Sequence, residues 1–397
     1  MSKFSFFLSQ VNKEKEILQN SLFIFLTGLI SAGLSTFSNI IFSRFFGPAG
    51  FGIFKTAIGL ASTIAYTLDL GAKYLIPRYI AEFEHKKEPG NTKHLIERTL
   101  MLKAMITVFV LISAWFLSHQ IAQTFFHSEA LTILVLPTML LFTIIFLDIT
   151  IPILLGYQHF KLLALTSILV PFFHILVGLP MAFIFGIKGA LFGAAIAFVT
   201  GSIPAIRFIL KKIGARSKIR SFSFKSALVS YGIPAYFANI PTYISIAIIP
   251  LLSMFFTQRQ VGFYGLSLSF YTAALLIPVT LSNVMFPKVA QLHSQQKADQ
   301  AYGTFKRLIL IYTPFVVVGI IVIIPVTEPL IRLLIPQFLP ATKIIIVQTI
   351  TALFFGYFAI GVNYATAAGK LRIATILNWF LSLIFLILAF YLTGSTK

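Results

Sequence analysis

Long apolar runs alternate with short basic connections along nearly the whole chain. A helix needs about 20 apolar residues to cross a hydrocarbon core of roughly 30 Å. On that measure spans are expected at 21–43, 51–70, 99–117, 131–155, 162–185, 190–210, 227–253, 261–286, 308–327, 342–361 and 373–391. The preceding stretch, 1–20, is polar but carries Phe4, Phe6, Phe7, Leu8 and Val11 among its lysines. That pattern suits a segment lying along a membrane surface. The first apolar run is too long for the core of a cleaved signal, so it is expected to remain as span 1.

Charge then orients the spans. With the N-terminus on the cytoplasmic side, 24 of the 31 Lys and Arg fall on or near that side. The exceptions are Arg44, Lys55, Lys188, Arg259, Arg332, Lys343 and Lys397. Such an asymmetry is the signature of cytoplasmic connections. The basic stretch 211–226, midway along the chain, reads as a cytoplasmic linker between two halves, 21–210 and 227–397.

The halves resemble each other. Phe51-Gly52-Ile53-Phe54 opens span 2 and Val261-Gly262-Phe263-Tyr264 opens span 8, about 210 residues later. The same shift carries Ile76-Pro77-Arg78 onto Phe286-Pro287-Lys288. A shift shorter by one residue carries Lys161-Leu162-Leu163 onto Lys370-Leu371-Arg372. Six spans per repeat is an even number, so the two repeats run parallel, with a substrate path expected between them near the midplane. In this register the counterpart of span 6 is expected near 399–419, past Lys397, so the second repeat is expected to lack its last helix.

Composition agrees with an all-α integral membrane protein. Residues are 58% hydrophobic and 11% charged, which excludes an ordinary soluble enzyme. The net charge of +20 would suggest nucleic acid in a soluble protein, but here orientation accounts for it and no nucleic-acid partner is expected. With no cysteine, disulfides, thiolate zinc sites and a cysteine nucleophile are excluded. No phosphate-binding Walker sequence, zinc motif or nucleophile elbow occurs, so neither ATP nor another cofactor is expected.

Several stretches together carry a family resemblance. They are Ser43 to Phe54, Leu68 to Phe83, Phe185 to Ala197, Gln260 to Leu292 and Thr327 to Thr342. In this order the chain resembles the multidrug/oligosaccharidyl-lipid/polysaccharide exporter superfamily, and within it the O-antigen and polysaccharide flippases of the Wzx type. The resemblance implies a MATE-like two-lobed bundle around a central cavity lined largely by spans 1, 2, 7 and 8. It also implies passage of a polyisoprenyl-phosphate-linked oligosaccharide from the cytoplasmic to the outer leaflet by alternating access, in polysaccharide biosynthesis. The implied partners are that substrate, membrane lipids and glycosyltransferases of the same pathway, and the implied location is the cell membrane.

The residues that would do this are few. A lipid-linked phosphate needs cations in a watery cavity, and each cation kept inside a span costs roughly 2.5–3.5 kcal/mol. Lys55, about one turn into span 2, either lines the cavity or snorkels outward. Arg44 and Arg259 are each an outer anion contact or an interfacial anchor. Asp69, Lys73 and Arg78 follow span 2 at helical intervals, as an entry site for a headgroup or as a helix-end ion pair. Lys103 reads as a snorkelling anchor and His174 as a packing residue. Asn39, Asn239 and Asn283, with Tyr243 and Ser282, offer hydrogen bonds to a sugar or between helices. Asp148, the one acid well inside a span, either binds a coupling H⁺ or Na⁺ or accepts local hydrogen bonds.

Two other functions compete. A cation-coupled multidrug exporter would place acids on the cavity helices, yet spans 1, 7 and 8 contain none. A membrane glycosyltransferase or polymerase would need a sizeable outer domain, whereas the outer connections are short and carry only Glu129 and Glu328 as acids.

Overall fold

The computed structural model describes residues 3–213 and 222–395, with side chains from 26 onward apart from those at 213, 283, 284, 287 and 294. The surface pattern expected of residues 1–20 and residues 214–221 of the linker therefore lie outside what is described. Every described element is helical. In chain order these are α1 (Lys3–Thr67), α2 (Ala72–Lys86), α3 (Pro89–Phe116), α4 (Ser118–Phe126), α5 (Val135–Leu147), α6 (Thr150–Gly156), α7 (Phe160–Phe173) and α8 (Leu179–Ile213). There follow α9 (Phe224–Ala227), α10 (Ile233–Ala238), α11 (Ile240–Ile246), α12 (Ile248–Ser253), α13 (Gln258–Ser294), α14 (Ala298–Leu334), α15 (Thr342–Ala367) and α16 (Leu371–Gly394).

Among the described residues, eight stretches are long and apolar enough to cross a membrane. The difference from the eleven expected spans has a local cause. Spans 1 and 2 share α1, and spans 5 and 6 share the stretch Phe160–Lys212. Span 7 falls on the short helices α9 to α12, with a π-helical turn at Leu228–Gly232. Pro234, Pro241 and Pro250 deny that segment three backbone donors, and the helix breaks at Asn239 and Ala247.

Within α1 the chain reverses at Gly47, whose φ of 66° is open to glycine at no steric cost. The two arms then pack face to face. Phe42 meets Phe54 at 5.1 Å between ring centroids, and Phe46 meets Phe54 at 5.8 Å. Asn39 and Lys55, eight residues on either side of the turn, are joined by a hydrogen bond.

Apolar side chains face both inward and outward, as hydrocarbon on the outside allows. Phe42, Phe51, Phe54 and Phe142 are fully buried, whereas Trp115 and Phe116 are each 77% exposed. A soluble domain would hide such residues, but acyl chains cover them at no cost. The first-half helices α5, α7 and α8 pack on α1, the second-half helices α14 and α15 pack around α13, and α1 lies along α13.

The seam between the halves is formed by α1 with α13 and, toward Asp69, by α1 and α2 with the segment that precedes α11, and it is closed at both ends. At the Gly47 end, main chain meets main chain: a Cβ on Gly52 would collide with the Gln258 carbonyl, and one on Gly262 with the Pro48 carbonyl. Phe338 wedges between Phe51 and Phe263, with centroids at 6.1 and 5.7 Å. Thr56 donates to Gln258 Oε1 at 3.2 Å, and Gln258 in turn donates to the Phe125 carbonyl at 2.5 Å. At the Asp69 end, the Tyr236 hydroxyl donates to the Thr67 carbonyl at 2.8 Å, and the Arg78 guanidinium lies 3.9 Å from the Tyr231 ring centre.

The glycine contact makes a prediction. Because the chain has no cysteine, Thr56→Cys supplies a single buried reporter thiol at the seam. Overpacking by Gly262→Val costs about 1–3 kcal/mol of closure, so labelling of that thiol by a water-soluble maleimide is expected to accelerate about tenfold. Equal rates with and without the valine would show that the seam is not held there.

Candidate functional site

The hairpin of α1 brings a cation into the interior. Lys55 Nζ donates to Asn39 Oδ1 at 2.9 Å, and Asn39 Nδ2 donates across the seam to Ser269 Oγ of α13 at 3.1 Å. The Lys55 stem packs against Gly265, and its ammonium stands 5.4 Å from the Phe51 ring centre. No carboxylate lies within ion-pair distance of Lys55 among the described residues.

A cavity of about 220 Å³ opens beside this ammonium, lined also by Ser35, Asn39, Leu141 and His174. His174 begins a π-helical turn, His174–Gly178, just after Pro171. Such turns add a residue to the helix and re-aim side chains. Its Nδ1 lies 3.4 Å from Ser38 Oγ, its ring packs on Phe42 at 5.0 Å, and its Nε2 has no hydrogen-bond partner among the described residues. A half-buried ammonium without a counter-ion, beside an imidazole nitrogen without a partner, gives this cavity wall a positive charge and an unmet polar atom.

A second polar cluster sits at the Asp69 end. Lys103, expected to snorkel, is instead buried: it pairs with Asp69 Oδ1 at 2.6 Å and donates to the Phe146 carbonyl at 2.8 Å. Asp69 Oδ2 accepts the backbone N–H of Lys73 at 2.9 Å, which holds the start of α2. Asp148 separates α5 from α6 and accepts from the Thr150 backbone at 2.9 Å and the Thr150 hydroxyl at 2.6 Å. Asp69, Lys73, Lys103 and Asp148 all line one cavity of about 260 Å³.

The remaining sequence candidates are dispersed. Lys73 and Arg78 are exposed, with Lys73 Nζ 5.3 Å from the Tyr66 ring centre. Arg44 and Arg259 are also exposed, Arg259 over the Phe263 ring at 5.7 Å, and neither lines the Lys55 cavity. Asn239 donates back to the Ala235 carbonyl at 2.8 Å, compensating the helix break beside it. The Asn283 side chain lies outside the described residues. Ser269, Ser38 and Asn363 are partners that no sequence signal distinguished, since small polar residues are frequent in membrane helices.

The fold and the larger part of the sequence both have counterparts among known proteins. The family model described as "Polysaccharide biosynthesis protein" matches residues 17–293. No curated protein sequence matches the chain. Among solved structures, the Lipid II flippase MurJ in an inward closed conformation is similar at 16% identity and a TM-score of 0.71, over 94% of this chain and 85% of that one. A multidrug resistance MATE family transporter of the MOP superfamily, facing inward, is similar at 12% identity and a TM-score of 0.65, over 93% and 84%. A MOP superfamily transporter from Pyrococcus furiosus, described as having a binding pocket of reversed polarity, is similar at 12% identity and a TM-score of 0.54, over 96% and 97%. At these identities the likeness is one of fold.

The buried ion pair yields a prediction of its own. Lys103→Met leaves Asp69 without its ammonium and is expected to destabilise the protein by about 3–5 kcal/mol. Adding Asp69→Asn removes the stranded charge and is expected to recover part of that loss. A double-mutant cycle on unfolding in detergent measures the coupling, and additive effects would show that the two side chains do not act as a pair.

Proposed function

Since the chain belongs to the polysaccharide biosynthesis protein family, whose fold it shares with MOP-superfamily flippases and transporters, we propose that it flips a lipid-linked oligosaccharide across the membrane. The substrate is a polyisoprenyl phosphate or pyrophosphate bearing sugars, carried from the cytoplasmic to the outer leaflet by alternating access. Lys55 is the observation that carries this reading. A lysine inside a span, hydrogen-bonded to Asn39 and facing a cavity rather than a carboxylate, supplies in place of water the charge that a crossing phosphate needs.

The direction rests on charge. The span pattern assigns 24 of the 31 basic residues to the side on which Asp69 lies, so that side faces the cytoplasm and the Gly47 end faces out. Asp69, Lys73 and Arg78 then stand where a headgroup enters. The closed seam at both ends is the occluded member of the cycle. Asp148, with Asp69 and Lys103 on the same cavity, is the group we assign to a coupling H⁺ or Na⁺, at a break between two half-helices where such ions bind in transporters.

A cation in the cavity opposes the export of cationic drugs, which acids would favour. The outer acids give a transferase little to use: Glu129 faces His119 at 3.4 Å, and Glu328 pairs with Arg332 at 2.8 Å.

Transfer of a pyrophosphate-linked sugar lipid in proteoliposomes tests the reading. Losing one charge-assisted contact costs about 1.5–3 kcal/mol, so Lys55→Met is expected to slow transfer about tenfold or more, and Lys55→Arg to retain more of the rate. Arg44→Ala, at an exposed position, is expected to cost less than about threefold. Wild-type transfer by Lys55→Met would overturn the assignment.

A further inference from the structure

A larger cavity lies on the other side of α13. It encloses about 540 Å³ between α11, α13, α15 and α16, within the roughly 300–1,000 Å³ usual for sites that hold a small organic ligand. The Lys55 cavity, at about 220 Å³, falls below that range. The two are related by position. At a shift of 210, Ser35 and Ile58 of the smaller cavity fall on Ser245 and Leu268, which line the larger one.

Their chemistry differs. The larger cavity has no charged side chain among its described lining, where the smaller one has Lys55 and His174. Its polar groups are hydroxyls and carboxamides, those of Thr242, Ser245, Thr272, Asn363, Asn378 and Ser382. Asn363 donates to Ser282 at 2.7 Å, and Ser382 to the Pro241 carbonyl at 3.0 Å, which fixes both side chains. Thr242 and Asn378 are exposed, and their side chains make no hydrogen bond among the described residues. An unpaired amide within a membrane-spanning helix is costly unless water or a polar ligand meets it. Tyr271 and Phe385, 5.1 Å apart, add an aromatic wall.

Groups that both donate and accept, beside aromatic faces and without charge, match a neutral sugar. Its hydroxyls also donate and accept, and its C–H faces lie against rings. We propose that this cavity of the second half binds the uncharged sugar residues of the lipid-linked substrate, while the Lys55 cavity of the first half takes its phosphate. The proposal rests on the reading of the chain as a flippase for such lipids. In the closed seam α13 stands between the two cavities, with Ser269 turned to Asn39 and with Leu268, Tyr271 and Thr272 turned to the larger cavity. One substrate reaches both when α1 and α13 separate.

Equilibrium binding to the full chain in lipid nanodiscs separates the two sites. The probes are a polyisoprenyl pyrophosphate and the same lipid carrying a neutral disaccharide. The wild type is expected to bind the glycosylated lipid about tenfold more tightly than the bare one. Thr242→Val with Asn378→Leu, which removes no hydrogen bond within the protein, is expected to abolish that preference and leave bare-lipid binding unchanged. Lys55→Met is expected to weaken both lipids alike. Should the double variant also lose the bare lipid through misfolding, Ser245→Ala decides by the same comparison.

Equal wild-type affinity for the two lipids, or a preference that survives the substitutions, overturns the sugar site and leaves the Lys55 reading standing. A preference that depends on Thr242 and Asn378, with binding indifferent to Lys55→Met, upholds the sugar site and removes the phosphate assignment. Failure of the wild type to bind either lipid overturns both.

Discussion

Inside hydrocarbon a backbone N–H or C=O has no water to turn to, and nearly everything in this molecule follows from that. Helices satisfy the demand within one segment, so the described chain is helical throughout. Where a helix breaks, a side chain compensates. Asp148 receives the first N–H of α6, Asn239 returns a hydrogen bond to the carbonyl of Ala235, and Ser382 reaches from α16 to the carbonyl of Pro241. The breaks are therefore expensive to build, and they lie beside the cavities. Irregular backbone at membrane depth is tolerated where it lines such spaces.

Two lysines held within the bundle, Lys103 buried and Lys55 half-buried, show how one cost is met in two ways. Lys103 satisfies its charge inside the protein, through Asp69 and the Phe146 carbonyl, and so helps to fix α3 against the start of α2. Lys55 has only the neutral amide of Asn39 and the face of Phe51. The first arrangement is closed and complete. The second is left open on one side, toward a cavity, and an incompletely satisfied charge is what a binding site for an anion must keep in reserve.

Much of this was legible in the residues. Twenty-residue apolar runs mark most of the spans because membrane thickness leaves little choice of length, and Lys55 stood out because it breaks the charge rule. Span 7 was legible as one apolar run, 227–253, but not its division: the prolines within it break the run into helices each too short to count as a crossing. Lys103 was misread for a physical reason: it lies on the basic side of the membrane, and its carboxylate partner is 34 residues away, brought near only by tertiary packing. His174 does pack on Phe42, as a packing residue would, but neither the π-helical turn that it begins nor its place beside Lys55 on one cavity has a sequence signature. The neutral cavity of the second half was invisible for the plainest reason. Serine, threonine and asparagine carry no charge to look out of place.

The turn at Gly47 has a consequence for how this protein can change over time. Asn39 and Lys55 stand at equal distance from the turn, and their hydrogen bond depends on that register. One inserted or deleted residue would rotate the lysine about the helix axis by about 100° and shift it along by roughly 1.5 Å. Surface loops ordinarily tolerate changes of length. This one cannot, because its length is also the dimension that aims a charge.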